Sequence, residues 1–378
     1  MFSNVLGIRL QLMIGKDVPR PASYEVMNAF RSLQVTNSVE PGGDGFQLSF
    51  TIGKNKQGEY SLLHSGDLDP DSRVVIGVWM GAKLEPLIDG VIYNHQVSPG
   101  EQPGTSTLTI SGRDISIMLD LKEIDEKHAQ QPDSSIVQKI LQNNYAQYGI
   151  IPPFEITTTT EIPTETERIP RQHETDLKYI QRLAERNSFV FYIEPVTMSL
   201  NKAHWGPEKR TEMSQPALSY DLGPSTNVKN LSFMNDALAP INTDGSYLDP
   251  VTKTSNRIPE LSPIRLSLTA KTSSARRTER LRCTAYRKSD EAQAAAKAAK
   301  TAASEPISAE GELETLRYGS VLRPRRKVGV RGVGRSYNGD YFVQSVTHRI
   351  ERGIYTQTFK LRRDGTGAAS PKVRTNEG

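Results

Sequence analysis

The sequence predicts a mainly β protein with α+β insertions, in which two small β-barrel domains flank an α/β domain. Short stretches of alternating apolar and polar residues recur towards both ends of the chain, the period of strands with one buried face. Two helical patterns lie between them, and 28 Gly with 23 Pro supply frequent turns, which argues against long helical bundles. A length of 378 residues allows two or three domains with ample core.

The first β-domain is expected over residues 1–124. Leu6, Ile8, Leu10, Leu12 and Ile14 alternate with Gly7, Arg9, Gln11 and Met13, which reads as a half-buried strand. A weakly apolar stretch leads into a second strand, Phe46, Leu48, Phe50 and Ile52, framed by Pro41-Gly42-Gly43 and Gly53. Val74 to Met80, Pro86 to Tyr93 and Ser106 to Ile110 follow, separated by turn signals such as Asp89-Gly90 and Ser98-Pro99-Gly100. Regular short strands of this kind predict a closed barrel or a sandwich, and closure would protect the edges. Gly112-Arg113-Asp114 ends the domain.

Residues 125–200 read as the α/β insertion. Pro132-Asp133-Ser134 opens a helix with Ile136, Val137, Ile140, Leu141 and Tyr145 on one face and Gly149 past its end. Glu174-Thr175-Asp176 opens another, with the stripe Leu177, Ile180, Leu183 and Ala184, stopped at Asn187-Ser188. Phe189 to Ile193 then reads as a buried strand.

The second barrel is expected over residues 201–365. It contains a strand at Val228 to Phe233, a long loop at 234–263, a strand at Ile264 to Leu268 and an alanine-rich helix at 291–303. With so little side-chain bulk, that helix must pack closely or stand exposed. Val321-Leu322, Lys327 to Val333, Gly339 to His348 and Ile354 to Leu361 return to the β-pattern and close the domain with a hairpin. Residues 366–378, rich in Gly, Ala, Ser and charge, read as a flexible tail.

Charge divides the chain. Residues 261–378 hold 24 Lys/Arg against 11 Asp/Glu, and residues 1–260 hold 23 against 32. A basic region of this kind can attract nucleic acid, meet an acidic protein ring or line a pore. No helix-turn-helix, zinc or RNP pattern accompanies it. The tightest cluster, Arg323-Pro324-Arg325-Arg326-Lys327, reads as a solvated loop.

Several chemistries are disfavoured. The lone Cys283 forms neither an internal disulfide nor a cysteine zinc cage, it has no histidine nearby in sequence, and the six histidines are scattered. Gly332-Val333-Gly334 lacks the lysine and Ser/Thr of a phosphate loop, and its next glycine is Gly339. Asp120, Glu123, Asp125 and Glu126 cluster on a segment read as a solvated face rather than converging across a cleft. His173 caps or bridges at a helix start, and Trp79 and Trp205 serve packing. No apolar stretch approaches the ~20 residues that cross a bilayer. Met1 to Ile14 does not resemble a secretory signal, so synthesis and assembly in a cytoplasm are expected.

Two segments carry a resemblance. The run from Gln172 to Glu185, including Thr175, Asp176 and Leu177, is similar to a helix of phage late-control protein D and the related valine-glycine repeat spike proteins. The run from Tyr337 to His348, with Gly339, Tyr341 and Val343, followed by Gly353 to Leu361 with Tyr355 and Thr356, resembles the closing hairpin of the same family. The resemblance implies a structural baseplate hub of a contractile tail or phage-like injection system. Its six barrels, two from each copy of a homotrimer, would form a pseudo-sixfold ring joining a sixfold tail tube to a threefold spike. Implied partners are the tail tube or a tube-initiator protein, a separate spike protein and baseplate wedge proteins. No cofactor, metal, small-molecule substrate, catalysis or stable membrane insertion is implied. The alternative is a barrel-fold single-stranded nucleic-acid-binding protein that stacks bases on Tyr337, Tyr341, Phe342 and Tyr355. A tail-associated cell-wall hydrolase is a third possibility, weakened by the missing catalytic constellation.

Overall fold

The computed structural model describes residues 8–16, 18–64, 66–102, 104–162, 170–248, 252–259, 262, 265–281 and 289–369; Cys283 falls outside them. Strand makes up 48% against 17% helix, so the chain is mainly β. It divides into two compact units. The first comprises Met1–Gln181, Phe191–Gly206 and Thr347–Gln357, and the second Arg182–Val190, Pro207–Val346 and Thr358–Gly378.

In the first unit, antiparallel strands lie in the order Phe30–Ser38, Gly45–Ile52, Ser106–Asp114, Lys83–Ser98, Arg73–Met80, Ile8–Gly15 and Arg20–Pro21. Alternation places Phe46, Leu48, Phe50 and Ile52 in the core while Gln47 and Thr51 are exposed. Arg73–Met80 instead buries six consecutive residues, because it is covered on both faces; a Cβ at Gly77 would stand 2.8 Å from the Met198 sulfur. Phe30–Ser38 is the strand that the sequence showed only as weakly apolar. Its buried positions Leu33, Val35 and Asn37 keep period 2, but Asn37 breaks the hydrophobic signal. Asp114 both ends a strand and caps the short helical turn Ile115–Leu119, accepting from the Ser116 N–H at 3.1 Å.

The expected barrel closure is not observed. Among the described residues, the pairings form open strand series rather than closed barrels. A period-2 pattern specifies a strand with a buried face, whereas closure needs matched tilt and stagger around a full circle.

The α/β elements between residues 123 and 206 follow the predicted periodicity. Helix Asp133–Asn144 buries Ile136, Val137, Ile140 and Leu141. Gly149 lies beyond it in the left-handed region, and its absent side chain leaves room for the Ser199 carbonyl. Helix Asp176–Arg186 buries Tyr179, Ile180, Leu183 and Ala184, while Leu177 is half-buried. Asn201–Gly206 is a strand between Val190–Pro195 and Glu155–Ile156.

In the second unit, Val228–Asn235 pairs antiparallel with Ile307–Glu314, and Lys327–Arg331 pairs antiparallel with Gly339–Phe342 and parallel with Gln215–Ser219. Leu313, Tyr318, Leu322, Val328, Tyr341, Val343 and Phe359 pack into its main core. Four expectations are corrected here. Residues 265–268 are irregular, with the next strand at Thr269–Thr272. The long loop contains the short strands Ile241–Asp244, Ser246–Leu248 and Ser255–Arg257. Val321 and Leu322 are buried but not in a strand. Gly365–Ala368 pairs with Thr269–Thr272, so the start of the expected flexible tail is ordered by a partner strand distant in sequence; residues 370–378 lie outside the described residues. Helix Ser289–Ala302 packs closely, with Ala292 and Ala296 against Ile258, Tyr247 and Leu281.

Candidate functional site

The family-like residues fall into three groups. Gln172, Thr175, Asp176 and Leu177 come together in the first unit because strand Arg171–Thr175 runs directly into helix Asp176–Arg186. The buried Asp176 carboxylate accepts from Tyr145 Oη at 2.6 Å and from Gln172 Nε2 at 2.7 Å. Gln172 Nε2 also donates to the Glu174 carbonyl at 3.2 Å, leaving its Oε1 facing His128 Nε2 at 3.4 Å. The His128 ring stacks on Tyr179, with centroids 5.4 Å apart. Burial and the Asp176 carboxylate push the Tyr145 phenol far above its ordinary range, so Tyr145 stays a neutral donor. Thr175 Oγ1 donates to Asp120 at 2.6 Å, tying the helix start to the end of the preceding β-region. This network orients backbone segments and exposes no reactive group.

His348, Tyr355 and Thr356 form the second group, in the hairpin segment of the first unit. His348 is fully buried, and its Nδ1 lies 3.0 Å from the Tyr355 hydroxyl. Gly339, Tyr341 and Val343 form the third, in the second unit. Gly339 adopts a φ of 125° and packs against Ala368, where a Cβ would approach within 3.0 Å. Tyr341 donates to the Tyr337 carbonyl at 2.9 Å, and the buried Arg363 guanidinium lies 4.3 Å from its ring centre.

A further cluster in the second unit was invisible in the sequence. Two buried carboxylates, Glu208 and Glu305, meet three guanidinium groups. Arg210 contacts Glu208 at 2.9 Å and Glu305 at 2.6 Å. Arg265 contacts them at 2.8 and 3.3 Å, and Arg362 at 2.6 and 2.9 Å. Arg210 and Arg362 also lie 4.7 and 5.3 Å from the centre of the Phe342 ring. Burial works against ionisation of Glu208, but Arg362, Arg265 and Arg210 outweigh it and hold the carboxyl below its ordinary range. The five charged residues come from four separated segments, so no local spacing could reveal them. Their only sequence trace is the placement of charged residues beside strand-like runs.

The remaining candidates are structural. Glu123, Asp125 and Glu126 are exposed on strand Glu123–Lys127, as expected of a solvated face; Glu126 pairs with Lys139 at 2.8 Å. His173 bridges to Asp125 at 3.1 Å. Trp205 is fully buried and donates to the Ile180 carbonyl at 3.2 Å, while Trp79 packs beneath Arg9. The Arg323 to Lys327 cluster is not a solvated loop. The Arg323 N–H donates to Gln215 Oε1, the Arg325 N–H to the Val343 carbonyl, and both Pro324 and Arg325 are buried. The aromatics needed as base-stacking platforms serve packing instead: Tyr341, Phe342 and Tyr355 are buried, and Tyr337 is half-buried against Phe233. No three His, Cys, Asp or Glu side chains converge as a metal site, and no helix is long and apolar enough to cross a membrane, among the described residues.

No family model matches the sequence, and no curated protein matches it. Solved structures do match. A tail protein from Neisseria meningitidis aligns with a TM-score of 0.62 at 12% identity, covering 96% of this chain and 98% of that one. A prophage tail protein from Shewanella oneidensis aligns with a TM-score of 0.60 at 14% identity, covering 95% and 100%. An E. coli component of the type VI secretion system, described as structurally similar to bacteriophage tail proteins, gives a TM-score of 0.53 at 11% identity over 90% and 76%. The chain has the fold of these tail proteins. It shares that fold along nearly the full length of two of them, with both units included in the match.

Proposed function

We propose that this tail-protein fold acts as the structural baseplate hub of a contractile tail or phage-like injection system. In this role the chain is a homotrimeric adaptor between a sixfold tail tube and a threefold central spike. The observation that carries the reading is the two-way coverage of tail proteins: 96% of this chain matches 98% of one, and 95% matches 100% of another. The buried networks suit such a role, because they fix segments of each unit without presenting a reactive group. The function is mechanical, and binding energy at ring interfaces does the work; obligate interfaces of this class bury ~2,000 Å² or more.

The partners are the tail tube or a tube-initiator protein, a separate spike protein and wedge proteins, met during assembly in a cytoplasm. Light scattering across a concentration series tests the trimer, and co-sedimentation with tube and spike proteins tests the adaptor. A chain that stays monomeric and binds neither partner overturns the reading.

A further inference from the structure

The charge cluster of the second unit is not neutral. Glu208 and Glu305 meet three guanidinium groups, Arg210, Arg265 and Arg362, which leaves one positive charge in excess. Arg265 bears it. Burial works against the charge of Arg210, but Glu305 and Glu208 outweigh it and hold that guanidinium above its ordinary range. At Arg265 burial prevails: with Arg362 and Arg210 adding their repulsion, the guanidinium lies below its ordinary range despite Glu208 and Glu305. Three of its N–H donors are used, by the Thr301 carbonyl at 2.6 Å, Glu305 at 3.3 Å and Glu208 at 2.8 Å. A guanidinium carries five, so the remainder have no partner among the described residues.

Arg265 also forms part of the wall of a cavity of about 290 Å³ inside the second unit. Lys300, from the last turn of helix Ser289–Ala302, and Asp364 add opposite charges to that wall. Asp364 accepts the Leu268 N–H at 3.0 Å. The helix end contributes only about half a negative charge, so the surroundings of Arg265 keep a positive balance. Thr272 and Ser273 supply hydroxyls, and Ile241 and Leu266 an apolar side, with Leu266 54% exposed. A guanidinium fork matches a carboxylate with two parallel hydrogen bonds. A dianion overcompensates a single excess charge and stands against Asp364. The cavity is larger than a bare ion requires, and its apolar side suits a short hydrocarbon body.

We propose that this cavity is a binding site for a small organic monocarboxylate, held by Arg265 and Lys300 with its hydrocarbon body against Ile241 and Leu266. The bound carboxylate completes the neutralisation of the cluster and ties strand Ile241–Asp244 to the segment before Thr269–Thr272 and to the helix end. The site lies within one unit of a single chain, so it is independent of the hub reading and of any trimer.

Calorimetric titration and thermal unfolding of the full chain test this with isovalerate, compared with isovaleramide, inorganic phosphate and sodium chloride at matched ionic strength. Isovalerate is expected to bind with a Kd of about 1 mM or tighter and to raise Tm with concentration. Isovaleramide and chloride are expected to do neither, and phosphate to bind about tenfold more weakly. N-acetyl-leucine stands in for the carboxyl end of a peptide: tighter binding than isovalerate assigns the carboxylate to a chain end, weaker binding to a free acid, and both support the site. Arg265→Gln should weaken binding about tenfold or more. Because Arg265 also belongs to the buried cluster, Ala275→Phe, which fills the cavity without altering a charge, gives the same readout. Circular dichroism verifies the fold of each variant. The proposal is overturned by the absence of saturable isovalerate and N-acetyl-leucine binding, by phosphate or isovaleramide binding as tightly as isovalerate, or by binding that survives either substitution in a folded variant.

Discussion

The two buried polar networks solve the same problem by opposite means. In the first unit, one carboxylate, Asp176, is satisfied by neutral donors, Tyr145 and Gln172, and two of these three residues lie four positions apart. In the second, two carboxylates are balanced by three guanidinium groups drawn from residues 208 to 362. The first network spends little charge and fixes a strand-to-helix junction. The second stitches distant segments together and depends on nearly complete neutralisation, since a buried charge without its partner costs several kcal/mol.

The comparison makes graded predictions. Glu208→Ala leaves three buried guanidinium groups with one carboxylate, so the expected loss is about 3–5 kcal/mol in denaturant unfolding. A loss under about 1 kcal/mol would mean that water or rearrangement relieves the cluster. Acid should reveal the same cluster. Because the folded Glu208 carboxyl titrates below its ordinary range, its stabilising contribution is complete above the unfolded glutamate value of about 4.3 and falls as pH drops through the folded value. Unfolding curves against pH should therefore lose part of their acid limb in Glu208→Gln; an unchanged limb assigns the acid sensitivity elsewhere.

Asp176→Ala should cost less, about 1–3 kcal/mol, because it strands neutral donors rather than charges. Tyr145→Phe in that background should then add little, and a double-mutant cycle measures the coupling. The smallest effect belongs to the exposed Lys139–Glu126 pair. Lys139→Ala should change stability by about 0–1 kcal/mol, and the change should shrink in high salt. A salt-insensitive effect of the size expected for Asp176 would erase the contrast between buried and surface pairs.

The first network was partly legible because its parts are near in sequence. An acidic-Thr-Asp step before an apolar helix is a local arrangement, and Gln172, Thr175 and Asp176 remain neighbours once the strand and helix form. Tyr145 was expected only as a face of the earlier helix; its hydroxyl partner became visible when that helix packed. The Glu208 cluster had no comparable signal. Arg265 lies just before strand Thr269–Thr272 and Arg362 on the closing strand, far from each other in sequence.

By itself, the sequence determined the periodicities: period 2 in Gly45–Ile52 and Ile354–Arg363, and the helical stripe of Ile180, Leu183 and Ala184. It also placed a glycine just past a helix end, at Gly149. Those features follow from local sterics and from which face sheds water. Tertiary structure alone decided that the strand series stay open among the described residues, that Gly365–Ala368 joins Thr269–Thr272, and that five charged residues share one buried site. Register, closure and charge pairing are set by groups far apart along the chain. Their energies appear only when folding has brought those groups within a few ångströms.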